Sequence, residues 1–171
     1  MRESFGTPFF FTMKISIFFL LIILSFNIAF ANEYEPLESC EAFFVNLKSG
    51  EFVKAWDGLT KESRKGIVKE VSDSLKKAGY TAESDKTFLM NEFSTCGSIC
   101  VSYWGTFVKA FNPDIVLKDS EWSLGVSKKN YFEIVVLYKE SDTPSVLKMF
   151  REDGKWRLGL TETFWVRKLF M

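Results

Sequence analysis

Two carboxylates and a set of aromatic rings are the side chains here whose types and settings could do chemistry. Glu133 falls within Tyr131–Lys139, a run otherwise apolar on both parities, and Glu162 continues a face that carries Trp156, Leu158 and Leu160. A carboxylate enclosed by apolar groups has a raised pKa and can serve as an acid or base. For both residues the structural alternative weighs more: a strand end is usually solvated, and Glu133 can pair across a sheet with Lys148 or Arg157. Trp56, Tyr103, Trp104, Trp122 and Tyr131 are rings that could line a pocket for an apolar ligand, although at such spacings rings more often fill a core. Histidine is absent from the chain. That removes Ser-His and Cys-His nucleophilic pairs, His-ligated metals and the usual near-neutral proton carrier. No glycine-rich phosphate loop or metal-ligand cluster is present, so no cofactor is expected.

Cys40, Cys96 and Cys100 are the three cysteines. Cys40 and Cys100 both fall on the expected buried face of their helices, and a bridge between them is the preferred pairing. It would close a loop of about 60 residues, which stabilises by a few kcal/mol on the chain-entropy model. Three residues separate Cys96 from Cys100, unlike the Cys-x-x-Cys of redox proteins. The alternative is two structural cysteines and one buried thiol.

The elements that must hold these groups follow a leader. Lys14 precedes an apolar run that starts at Ile15 and closes on Ala29-Phe30-Ala31, a small-x-small cleavage pattern, so residues 1–31 read as an export signal. Met13 is an alternative start, and an uncleaved anchor is the competing reading. The expected location is periplasmic or secreted, with no membrane contact after cleavage. Residues 32–171 then form a single domain of ordinary size. Of the 22 basic residues, Arg2 and Lys14 lie in the leader, and of the 22 acidic ones, Glu3 does. The net charge of minus one on the remainder gives no reason to expect nucleic acid as a partner.

Pro36 suits the first turn of a helix that carries Leu37, Cys40, Phe43, Phe44 and Leu47 at helical spacing, and Gly50 ends it. A short helix fits Glu51–Asp57, with Phe52, Val53 and Trp56 inward. Thr60 is placed to N-cap a longer helix through Lys77, with Ile67, Val68, Val71 and Leu75 as its stripe and its charged flanks, Glu70 among them, in solvent. Phe88–Met90 suggests a short helix or irregular flap. Ser98–Phe111 returns to helical spacing, ended by Asn112-Pro113, and Ile115–Leu117 suggests an edge strand. From Glu121 the pattern alternates: strands near Trp122–Val126, Tyr131–Lys139, Val146–Phe150 and Lys155–Glu162 form an antiparallel meander, and Glu152-Asp153-Gly154 makes the last tight turn. The tail from Phe164 to Phe170 either extends the last strand or packs over the sheet.

Helices first, then a meander closed by Glu152-Asp153-Gly154-Lys155-Trp156-Arg157-Leu158, with Phe43-Phe44 and the Gly50–Trp56 stretch near the start, resembles the nuclear-transport-factor-two-like (SnoaL-like) cone-fold superfamily. The resemblance implies an α+β domain whose N-terminal helices pack in the concavity of a curved antiparallel sheet, leaving a conical pocket, with sheet faces that often mediate homodimers. The leading expectation is an exported, non-catalytic domain that binds a small apolar ligand or a protein partner. The first alternative is an isomerase, dehydratase or hydrolase that uses a buried Glu with a Tyr. The second is a structural subunit that dimerises through its sheet.

Overall fold

The computed structural model describes residues 34–164. The expected signal, its cleavage point and the tail beyond Phe164 lie outside the described residues. Among the described residues the fold is α+β: six helices precede a four-stranded open antiparallel sheet, and a seventh follows it. Among the described residues no helix is long and apolar enough to cross a membrane.

Helix α1 (residues 34–48) buries Cys40, Phe43, Phe44 and Leu47, the positions its spacing selects. Short helix α2 (Phe52–Asp57) buries Ala55 and Trp56, whereas Val53, expected inward, is exposed. Helix α3 (Lys61–Lys77) starts at Thr60, whose side-chain oxygen accepts from Ser63 N at 3.0 Å. It ends in a Schellman closure, in which Tyr80 N donates to Leu75 O and Gly79 N to Lys76 O. Gly79 takes φ +87°, the left-handed geometry such a stop requires.

The Phe88–Met90 region is fully helical, as α4 (Lys86–Thr95), because the Asp85 carboxylate caps it by accepting from Phe88 N at 2.8 Å. Helix α5 (Ser98–Ala110) buries Cys100, Trp104 and Phe107. The expected edge strand at Ile115–Leu117 is instead helix α6 (Pro113–Lys118). Pro113 occupies its first turn and the Asn112 side chain accepts from Asp114 N, so local capping outweighs the β-branched pair Ile115 and Val116.

Strands β1 (Ser120–Lys128), β2 (Tyr131–Tyr138), β3 (Ser145–Glu152) and β4 (Lys155–Leu158) run in sequence order, each antiparallel to the next. Phe132, Ile134 and Val136 of β2 and Leu147 and Met149 of β3 face the helices and join the core cluster with α1, α2 and α5. Strand β2 is central, but its other face, with Tyr131, Glu133, Val135 and Leu137, is only half covered. In β1 the expected apolar face holds near Trp122, while a bulge between Leu124 and Ser127 leaves Leu124 and Val126 exposed.

The last strand is shorter than its alternation suggests. After Leu158 the chain turns at Gly159 into helix α7 (Leu160–Phe164), whose start is held when Gly159 N donates to Lys148 O. Residues 58–60 lie beside β4 in a parallel bridge, with Leu158 N donating to Gly58 O and Thr60 N to Leu158 O. This stitch brings the N-terminus of α3 against α7.

The Cys40–Cys100 bridge expected from burial is not formed. Cys96 joins Cys100, with Cα atoms 5.0 Å apart, and Cys40 is a free thiol buried in the core. The local turn decides this. Cys96 is the left-handed C-cap of α4, and that reversal sets it one helical turn from Cys100, within the span a disulfide requires. Cys40 and Cys100 are both buried, as their helical spacing predicts, but shared burial does not make two side chains face each other.

Candidate functional site

Helices α3 and α5 both pack against α4, and between them lies a cleft of about 640 Å³. Val71 and Leu75 of α3 and Ile99, Tyr103 and Phe107 of α5 supply its apolar lining, and the exposed Tyr80 also borders it. Ser74 on α3 and Ser98, Ser102 and Thr106 on α5 add a hydroxyl rim, with Glu70 beside it. The α5 contribution follows from its period: Ile99, Tyr103 and Phe107 recur every fourth residue, and Ser98, Ser102 and Thr106 form the adjoining stripe. The volume and the mostly apolar lining with a few polar groups match small-molecule sites.

The N-terminus of α5 is fixed from α4. The Glu92 carboxylate accepts from Ile99 N at 2.9 Å, and the Cys96–Cys100 bridge ties the same turn. Gly97 leaves room for this contact, because a Cβ at that position would lie 2.2 Å from the Glu92 carboxylate oxygens and would displace that side chain. Ile99 and Ser98, which line the cleft, sit within this clamp.

Tyr103 and Glu70 give the cleft its polar character. Burial, and secondly the Glu70 charge, push the Tyr103 phenol well above its ordinary range, so it stays a neutral donor. Partial burial raises the Glu70 carboxyl above its ordinary value. The Tyr103 ring is held edge-on by Phe93 and by Trp104, at centroid distances of 5.3 and 5.1 Å.

The expected site residues do not converge. Tyr103 alone among them lines this cleft. Trp56 and Trp104 are core, 1% and 0% exposed, and Trp56 stacks on Phe93 at 4.7 Å. Trp122 packs edge-on to Phe44 and donates from Nε1 to Val116 O at 2.8 Å, which fastens β1 to α6.

Tyr131 and Glu133 lie on the outer sheet face, where the Tyr131 hydroxyl donates to the Glu133 carboxylate. Partial burial and that bond push the Tyr131 phenol up to about 12. Glu133 stands opposite Lys148 in the register, yet Tyr131 is the bonded partner.

Glu162, expected at a strand end, is in α7. Its Oε1 accepts from the Thr60 hydroxyl at 2.7 Å, and its Oε2 accepts from Ser63 and Thr161 at 2.5 and 2.8 Å. It thereby latches α7 onto the first turn of α3. A second cavity, about 680 Å³, adjoins this latch, with Lys65, Lys69 and Lys86 at its edge. Of the two carboxylates in its lining, Glu162 is held by three hydroxyls and Glu62 lies among the lysines. Among the described residues no cluster of His, Cys, Asp or Glu could hold a metal ion.

Sequence reasoning missed Glu70, which it left among the solvated charges of α3. The paired stripes on α5 were the legible signal for the cleft. No family model, curated protein or solved structure matches the chain.

Proposed function

We propose that this chain is an exported, non-catalytic domain that holds a small, largely apolar molecule in the α3–α5 cleft. One observation carries the reading: Val71, Leu75, Ile99 and Tyr103 leave an apolar recess open between two helices, while the aromatic core beneath it is closed. Apolar surface kept open in this way is costly unless something occupies it. The hydroxyl rim would orient the occupant, and the missing histidine fits retention rather than turnover.

The leader pattern supports export, and the disulfide agrees with an oxidising compartment. Helices followed by an antiparallel meander support kinship with the cone-fold superfamily. On this reading the ligand site differs from the conical pocket that kinship implies, because it lies between two helices and not in the sheet's concavity. The test is native mass spectrometry of protein purified from its own cells under non-reducing conditions. A retained small-molecule mass, lost in Ser102→Trp, is expected together with a deficit of two hydrogens for one disulfide. A bare chain mass would overturn the reading.

A further inference from the structure

The cleft is apolar, but its lining contains one carboxylate. Glu70 is half-buried and forms no hydrogen bond or ion pair among the described residues, although Lys69 and Lys77 are near it in sequence. Its Coulombic neighbour is the Tyr103 phenol, which carries no positive charge and makes no hydrogen bond to it. A half-exposed carboxylate keeps part of its hydration, and what it loses beside apolar surface is regained when a cation reaches it or a proton neutralises it. Burial raises its pKa, the direction expected for such a site. Tyr103 and Phe107 add two aromatic rings to the same lining, which favour a cation at their faces. The hydroxyls of Ser98 and Ser102 stand on the exposed side, suited to the donor hydrogens of an ammonium head.

From the placement of Glu70, Tyr103 and Phe107 around one apolar recess, we propose that the ligand is an organic cation: an amine carried on an apolar body. Glu70 pairs with the ammonium group, the two rings flank it, and the apolar body lies along Val71, Leu75 and Ile99. This rests on the cleft being a ligand site, and it adds the charge of the ligand. Glu70 is then a binding residue whose removal costs affinity for cations and leaves neutral analogues unaffected.

Three probes with one body and different heads test it: phenylbutylamine, phenylbutanol and phenylbutyrate, titrated calorimetrically into the purified protein and into Glu70→Gln. The amine is expected to bind the native protein about tenfold more tightly than the alcohol, a difference of about 1.4 kcal/mol. Glu70→Gln abolishes that preference, leaves the alcohol unchanged and improves the carboxylate. Glu70→Gln is near-isosteric at a half-exposed position, and an unchanged melting temperature verifies its fold. Equal binding of amine and alcohol, or an amine affinity indifferent to Glu70→Gln, overturns the cation assignment while leaving the apolar cleft standing. Binding of none of the three overturns both.

Discussion

Replacing Glu162 by alanine removes the carboxylate that joins α7 to α3, and the structure sets the cost. Three hydroxyls donate to it, those of Thr60, Ser63 and Thr161. Thr161 is the preceding residue, so its bond can form locally in the unfolded chain. The Thr60 and Ser63 bonds join segments about a hundred residues apart and exist only in the fold. Ser63 is 0% exposed and Thr60 is 1% exposed, so truncation strands buried hydroxyls. A hydrogen bond to a charged group contributes about 1.5–3 kcal/mol. Taking the lower end for a half-buried carboxylate, Glu162→Ala costs about 3 kcal/mol, a fall of about 10 °C in melting temperature for a domain of this size. Ser63→Ala removes one of these bonds and costs about 2 kcal/mol, and a double-mutant cycle with Glu162→Ala returns a coupling of about 1 kcal/mol. Urea and thermal melts followed by circular dichroism supply all four corners. A Glu162→Ala melt within about 2 °C of wild type, or a cycle without coupling, would refute the latch.

The disulfide spans a sequence separation of four, so Cys96→Ala/Cys100→Ala is expected to cost about 2 kcal/mol, against about 4 for the long loop that Cys40–Cys100 would close. Thiol titration of the native protein should find no reactive cysteine, and unfolding without reductant should release one, Cys40. For Glu70 the folded pKa is raised, so the native chain holds more protons than the unfolded one between the two values. Stability then falls as pH rises through that window, and Glu70→Gln removes this slope in melts taken from acid toward neutrality. Asp114 has the opposite sign. Lys48 and Lys118 hold its carboxyl below the usual range, so Asp114→Asn removes a small stabilisation that wild type loses only as pH falls through the lowered value. Gly97→Ala forces Glu92 away from Ile99 N and is expected to lower the melting temperature and weaken cleft binding together.

Much of the fold was legible because helical period and burial coincide. Cys40, Phe43, Phe44 and Leu47 are inward on α1, Ile67 and Val68 on α3, and Cys100, Trp104 and Phe107 on α5, as their spacing requires. The meander was legible from alternation and from the Glu152-Asp153-Gly154 turn, where Asp153 and Gly154 both take positive φ. Failures came where local and tertiary terms compete. Ile115 and Val116 have β-branched side chains, but the Asn112-Pro113 start makes a helix.

Leu160 and Glu162 continue the parity of Trp156 and Leu158, yet Gly159 breaks the strand, and the hydroxyls of Thr60 and Ser63 draw Glu162 toward α3. No pattern within residues 155–162 contains that long-range contact. The same holds for the site. Rings large enough to line a pocket are also best at filling a core, and Trp56 and Trp104 do so. Glu70 lies at the flank of an amphipathic stripe, where one further helix, α5, turns a solvated position into a cleft wall.

Occupancy of the α3–α5 cleft is measured most directly by fluorescence titration of the uncharged probe N-phenyl-naphthylamine into the wild-type protein and Ser102→Trp. Ser102 is an exposed residue on the rim, so an indole there fills the recess without disturbing the core. Saturable binding to one site is expected in the wild type, with a loss of about tenfold or more in Ser102→Trp at unchanged melting temperature. Equal titrations of the two proteins, or no saturable binding by the wild type, would contradict it.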